Sequence, residues 1–328
     1  MNPPVVRAVM GCRGKLPGFP DFVNAGAGGR DVEAFEAWIQ AGLYALRKIF
    51  GADWEPLLGA NLCHRFTFRA ENSTATLVGI LRGSQDSRGR YYPFTTFILL
   101  PTVFLDQHPV WLPQLCDALF SELERRAGRL IGFNRFDGIA EEVSCPFLLP
   151  VVLSTAQTRY DAFLDETFCY ELEEEALGGG LLLLEQLATT TASHGQSGRR
   201  LLPTLSLPLG ASSYVHGLEL RFWIELTLLL VRCHPASLTL SLPSPVARRV
   251  RPRVLLSLRQ PGERILEALV REDSYGQSVW RPGQDALPTG VASRSRELLG
   301  LEPTASLRAL LSRLQPGYPG TCPWFAAM

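Results

Sequence analysis

The stretch GCRGKLPGFPDF, Gly11 to Phe22, sets a lysine among glycines directly after the short apolar run VVRAVM. That pattern invites comparison with a phosphate cradle. A P-loop needs four residues between its first glycine and the Gly-Lys pair, then a Ser or Thr to meet magnesium. Here Gly11 lies only three positions before Gly14, and Lys15 is followed by Leu16 and Pro17. The hydroxyl is missing and Pro17 removes a backbone donor. GxGxxG is absent from the stretch, so the dinucleotide fingerprint fails too. A rigid turn is left: Gly11 and Gly14 permit tight backbone turns, and Pro17 and Pro20 stiffen the residues after them. Asp21 and Phe22 are then held in a defined orientation. Such a turn either packs without a partner or displays a contact surface for another protein.

A second stretch, GSQDSRGRYYPF, spans 83–94. Asp86, Arg88 and Arg90 can form a small charge network around a turn at Gly89, and Tyr91, Tyr92 and Phe94 can anchor a strand after Pro93. Arg–carboxylate pairing that fixes a loop is the plainer use of these residues. Catalysis would need a nucleophile and a base in one constellation, and no GxSxG elbow occurs. A hydrolase using Asp86 or His64 is the minor alternative; His64 beside Cys63 is not by that fact a dyad. No catalytic residue is assigned.

The seven cysteines are spread from Cys12 to Cys322 without CxxC spacing, and HExxH is absent among the five histidines. The expectation is reduced, structural thiols, no metal site and no cofactor.

These residues must be positioned by neighbouring elements. VVRAVM predicts a strand leading into the glycine-rich turn. Residues 31–50 carry apolar side chains at helical spacing, including Phe35, Trp38, Ile39, Leu43 and Leu46, with a stop at Gly51 and Asp31 placed to cap the start. CHRFTFRA and ATLVGIL predict strands joined by a hairpin at ENST, and a third strand follows Pro93. Residues 108–127 predict a helix from about Pro113. In the second half, 161–180 predicts a helix, and LELRFWIELTLLLV reads as a strand pair or one helix, with the helix preferred. ASLTLSLPSP and RPRVLLSLRQ predict strands, and PGERILEALV and the segment from residue 292 predict further helices. Three successive strands between helices favour a mostly antiparallel α+β sheet flanked by helices over a doubly wound parallel one. A proline-flanked apolar segment places a soft boundary near residue 150, giving domains 1–150 and 151–328, the second a divergent α/β unit.

The 32 basic and 32 acidic residues cancel, which argues against a nucleic-acid surface. Arg248, Arg249, Arg251 and Arg253 form a local cluster, read as a solvated connector. No secretory signal is evident, and no apolar run reaches bilayer length. The expectation is a cytoplasmic protein without membrane insertion.

GKLPGFPDF resembles the GKLPxxGDF motif of TagF (ImpM-type) proteins of bacterial type VI secretion, through Gly14, Lys15, Leu16, Pro17, Asp21 and Phe22. Pro20 stands where the family has its second glycine. The helix with Trp38, Trp54 and the strand around Phe66 continue the resemblance. It ends in an SxDxxGRxxPL-like element at Ser84, Asp86, Gly89, Arg90, Pro93 and Phe94, with Phe94 in place of leucine. The match covers about residues 8–125; beyond it only Phe222–Trp223 and a strand–helix pattern are similar. The resemblance implies a non-enzymatic accessory factor, in some members a post-translational repressor acting through a forkhead-associated scaffold. No phosphatase-type acidic metal array accompanies it here. A structural assembly factor without inhibitory action is the alternative. On this reading Lys15, Asp21, Phe22, Asp86, Arg88 and Arg90 are contact or loop-fixing residues, and Gly11, Gly14, Pro17, Trp38, Gly89 and Pro93 hold the frame.

Overall fold

The computed structural model describes residues 5–71, 73–102, 110, 112–150, 153–169, 171, 204–210, 216–231, 239–243, 253–258, 260–271, 279–281 and 304–314. The chain opens with β1 (Val5–Ala8), β2 (Met10–Gly14) and β3 (Val23–Gly26), then α1 (Arg30–Phe50) and α2 (Trp54–Asn61). β4 (Cys63–Phe68), β5 (Ala75–Arg82) and β6 (Phe94–Pro101) lead to α3 (Leu112–Ile131) and α4 (Phe136–Ser144). β7 (Phe147–Pro150), α5 (Leu153–Glu166) and β8 (Thr204–Pro208) come next. The last elements are α6 (His216–Val231), β9 (Thr239–Pro243), β10 (Arg253–Ser257), α7 (Ile265–Val270), β11 (Val279–Trp280) and α8 (Leu307–Leu314).

Nine of these strands form one sheet in the order β11-β8-β10-β9-β4-β5-β6-β2-β3. Every pairing in it is antiparallel except β11 on β8. β1 and β7 make a separate antiparallel pair. The sheet runs across the boundary drawn near residue 150: β4 pairs with β9 from His64↔Pro243 to Thr67↔Leu240. Strands from both halves therefore share one hydrogen-bonded ladder.

Helices cover both faces, so the core divides into two layers. One layer packs Phe35, Trp38, Leu46, Trp54, Phe66, Phe68, Leu266 and Leu269, joining α1, α2 and α7 to the sheet. The other packs Met10, Phe94, Ile98, Leu123, Tyr160, Trp223 and Leu310, bringing α3, α5, α6 and α8 to the opposite face. α1 supplies its apolar stripe from Val32 to Leu46 and stops at Gly51, whose φ is 56°. Asp31 does not cap it. The N-cap is Gly29, and Asp31 lies in the first turn, where its carboxylate accepts from the Ser73 hydroxyl. An acidic group there suits the positive helix end without occupying the cap position.

α7 shows how the halves are clasped. A helix leaves its last carbonyls without partners, and here three side chains from other elements supply donors. His64 Nε2 donates to Leu269 O at 2.8 Å, Asn61 Nδ2 to Val270 O at 2.8 Å, and Arg253 Nη2 to Ala268 O at 2.9 Å. Trp38 Nε1 adds a 3.0 Å bond to Gly262 O at the approach to the helix. Arg253 is thus a buried strand residue rather than part of a solvated connector; Arg248, Arg249 and Arg251 lie outside the described residues.

Other expectations shift at their edges. α3 runs on to Ile131, one turn past residue 127. Of 161–180, residues 161–166 complete α5, and most of the remainder lies outside the described residues. Cys12, Cys63, Cys145 and Cys169 are free thiols, while Cys233 and Cys322 lie outside the described residues. Burial pushes the Cys12 thiol up to about 12, so it stays protonated. Among the described residues no helix is long and apolar enough to cross a membrane.

Candidate interaction site

The two glycine-bearing stretches meet at the sheet end where β2 stops and β6 begins. Gly11 and Gly14 do not form the turn expected of them; both lie inside β2, and the turn comes at Leu16, where Phe19 N–H donates back to Leu16 O. Their lack of a side chain serves close approach instead. Gly14 has φ +121°, and a Cβ there would stand 2.0 Å from Pro93 O. A Cβ on Gly11 would meet the Phe97 ring at 2.6 Å. The glycine of one motif thus packs on the proline of the other.

Asp86 is the hub, with only 2% of its surface exposed. Its Oδ1 accepts the backbone N–H groups of Arg88 at 2.9 Å and Arg90 at 3.0 Å. Its Oδ2 faces Arg90 Nε at 2.7 Å and Lys15 Nζ at 3.0 Å. Burial alone would raise this carboxyl's pKa. The Arg90 N–H, the Lys15 ammonium, the Arg88 N–H and the Arg90 guanidinium outweigh it and hold Asp86 well below the usual carboxylate range. Asp86 is therefore a permanent anion whose lone pairs face inward donors.

Arg90 carries the lock onward: Nη2 donates to Pro20 O at 2.7 Å, while Ser87 N–H donates to Phe19 O at 2.9 Å. Gly89 N–H closes the turn on Asp86 O at 3.0 Å. The 17–22 loop is held from below by the 84–91 loop. Lys15, 6% exposed, also lies 5.2 Å from the Phe22 ring centroid. Phe22 meets Tyr92 edge-on at 4.8 Å yet keeps 49% of its surface exposed. Burial, helped by Glu36, pushes the Tyr92 phenol up to about 12, so this support stays neutral.

The structure therefore brings Lys15, Asp86, Arg90, Phe22, Gly14, Gly89 and Pro93 together. Arg88 contributes its backbone N–H to the hub, and its side chain is exposed. Asp21 is exposed as well, its Oδ1 accepting the N–H of Phe22. Pro17 is exposed in the loop. Trp38 lies apart, in the core under α7. His64 belongs to that clasp, and no described contact links it to Asp86. The Lys15–Asp86 pair is not legible from the sequence, in which Asp86 stands only against its neighbouring arginines. A single lysine in one motif and a single aspartate near the turn of the other are its only signal.

A small cavity across the sheet is lined by Phe35, Trp38, Phe66, Phe68 and Leu269. The hydroxyls of Thr239 and Ser241 are buried there without a hydrogen-bond partner. Among the described residues, no group of three His, Cys, Asp or Glu side chains is placed to hold a metal ion.

No curated protein matches the chain. A crystal structure of PA0076 from Pseudomonas aeruginosa PAO1 aligns at a TM-score of 0.47 and 17% identity, covering 81% of this chain and 96% of that one. The segment holding both motifs and every residue of the Asp86 hub, residues 11–134, matches the TagF N-terminal domain, a type VI secretion system-associated family.

Proposed function

We propose that the protein is a non-enzymatic accessory factor of type VI secretion that acts in the cytoplasm through protein–protein contacts, restraining assembly after translation. One observation carries this reading. Asp86 gathers Lys15, Arg90 and two backbone N–H groups into an inward-facing lock, and the outcome of that lock is an exposed, oriented Phe22. A fixed aromatic beside exposed arginine is the composition of an interface hot spot. A carboxylate so committed is a poor general base, because its proton affinity is suppressed far below neutrality. The match of residues 11–134 to a type VI secretion-associated domain supplies the setting, and a scaffold such as a forkhead-associated protein is the expected kind of partner.

The test is effector release from cells lacking or overproducing the protein. A repressor raises release on deletion and lowers it on overproduction. An assembly factor lowers release on deletion and leaves it unchanged on overproduction. Unchanged release in both strains sinks the secretion role altogether.

A further inference from the structure

β3 is the outermost strand of the nine-stranded sheet, paired on one side to β2. Ala27 N–H donates to Met10 O at 2.9 Å, so the antiparallel alternation makes Ala25↔Cys12 and Val23↔Gly14 the inward-bonding pairs. Asn24 then points both its N–H and its C=O away from β2. Among the described residues no strand pairs on that side, and Asn24 and its neighbours Phe22 and Gly26 are exposed. An exposed edge is a template for another strand unless something blunts it. Here it carries neither proline nor charge from Val23 to Gly26.

The charge at the start of β3 selects the partner that fits. Lys15, Arg88 and Arg90 stand against Asp86 and Asp21, a surplus of one positive charge. Asp86 is spent inward on Lys15 and Arg90, and Asp21 accepts its neighbour's N–H. The solvent side carries the exposed Arg88 and the half-exposed Arg90 guanidinium beside Phe22, against the single exposed carboxylate of Asp21.

We propose that the outer edge of β3 is a strand-addition site for an extended, acidic segment of a partner protein. The partner's backbone pairs with Asn24, an apolar side chain rests on Phe22, and carboxylates meet Arg88 and Arg90. This rests on the protein-contact reading above and adds where the partner binds and with what chemistry.

The test uses the full chain and overlapping synthetic peptides tiled from the type VI secretion proteins of the same cells. Bound peptides are expected to be acidic and to slow amide exchange at Asn24 by at least ~10-fold, as a new backbone hydrogen bond does. Asn24→Pro, which removes an N–H that β2 does not use, is expected to weaken binding at least ~10-fold with an unchanged melting temperature. Arg88→Glu is expected to weaken binding by a similar factor and to flatten its salt dependence. If Asn24→Pro fails to fold, exchange on the parent protein and the Arg88→Glu affinity still decide. The proposal is overturned if no peptide binds, if binding leaves Asn24 exchange unaltered, or if basic peptides bind as well as acidic ones. It is equally overturned if the edge pairs with a second copy of the chain, seen as self-association that Asn24→Pro abolishes. A full-length partner that binds the Asn24→Pro and Arg88→Glu proteins normally, with secretion still responding, removes the edge site and leaves the regulatory reading standing. Effector release unaffected by deletion and overproduction removes the regulatory reading, whatever the peptides do.

Discussion

His64 gives the sharpest pH test of how the two halves are joined. It sits in β4 with its ring buried, and donates through Nε2 to Leu269 at the end of α7. Burial, with Arg253 nearby, lowers its pKa from 6.5 to about 4 despite the Leu269 carbonyl. The folded protein keeps the ring neutral, while the unfolded chain takes up a proton once pH falls below 6.5. Stability is therefore unaffected above about pH 7, declines as pH drops through 6.5, and levels off for this group below about 4. At ~1.4 kcal/mol per unit the full loss is about 3 kcal/mol. The assay is urea unfolding followed by tryptophan fluorescence at a series of pH values, for the parent and for His64→Gln. Glutamine retains an N–H donor for Leu269 but does not titrate, so carboxylate contributions common to both proteins cancel in the difference. The parent is expected to lose about 3 kcal/mol more than the variant between pH 7 and 4. Parallel pH profiles would refute the buried neutral imidazole and with it this account of the clasp.

Four further outcomes are expected. Asp86→Asn leaves the buried Lys15 ammonium without its anion, so it lowers the thermal midpoint more than Arg88→Ala, whose side chain is outside the hub; equal midpoints would show that Asp86 is no hub. Gly14→Ala places a methyl group on Pro93 O in a left-handed backbone conformation and costs at least ~2 kcal/mol by urea unfolding, so a neutral result would contradict the close approach of the two motifs. Trp38→Phe keeps the ring's burial but loses the bond to Gly262, a loss of about 1 kcal/mol measurable in the same assay. Tyr160→Phe removes the 2.6 Å hydroxyl bond to the buried Glu225 and is expected to cost about 1–3 kcal/mol; no change would mean that Glu225 draws nothing from that donor.

Periodicity made much of the fold legible. The 3.6-residue stripe from Val32 to Leu46 marked α1 with its stop at Gly51, and alternation with turn residues marked β4, β5 and β6. The run from Leu218 to Val231, apolar nearly all round, had no stripe to read, yet it forms α6, buried in the layer that packs Trp223. Short elements went unseen. β3 is four residues of VNAG with little β propensity, and β8 and β11 are strands only because neighbours supply their hydrogen bonds. Register across the sheet is equally invisible in the chain, since nothing local to β4 names β9 as its neighbour.

The candidate site divides the same way. From residue types and spacing alone came the exclusion of a P-loop and the role of Asp86 as a loop-fixing carboxylate, because each depends on chemistry within a few positions. The pairing of the two motifs came from the resemblance to the TagF family. Tertiary structure alone decided that Lys15 belongs to Asp86, that Gly14 faces Pro93, and that Arg253 caps a helix rather than coating a linker. It also decided that β3 ends the sheet. Those are contacts between residues distant in sequence. Their energies come from burial and geometry that exist only once β2 and β6 pair and the two halves share one sheet.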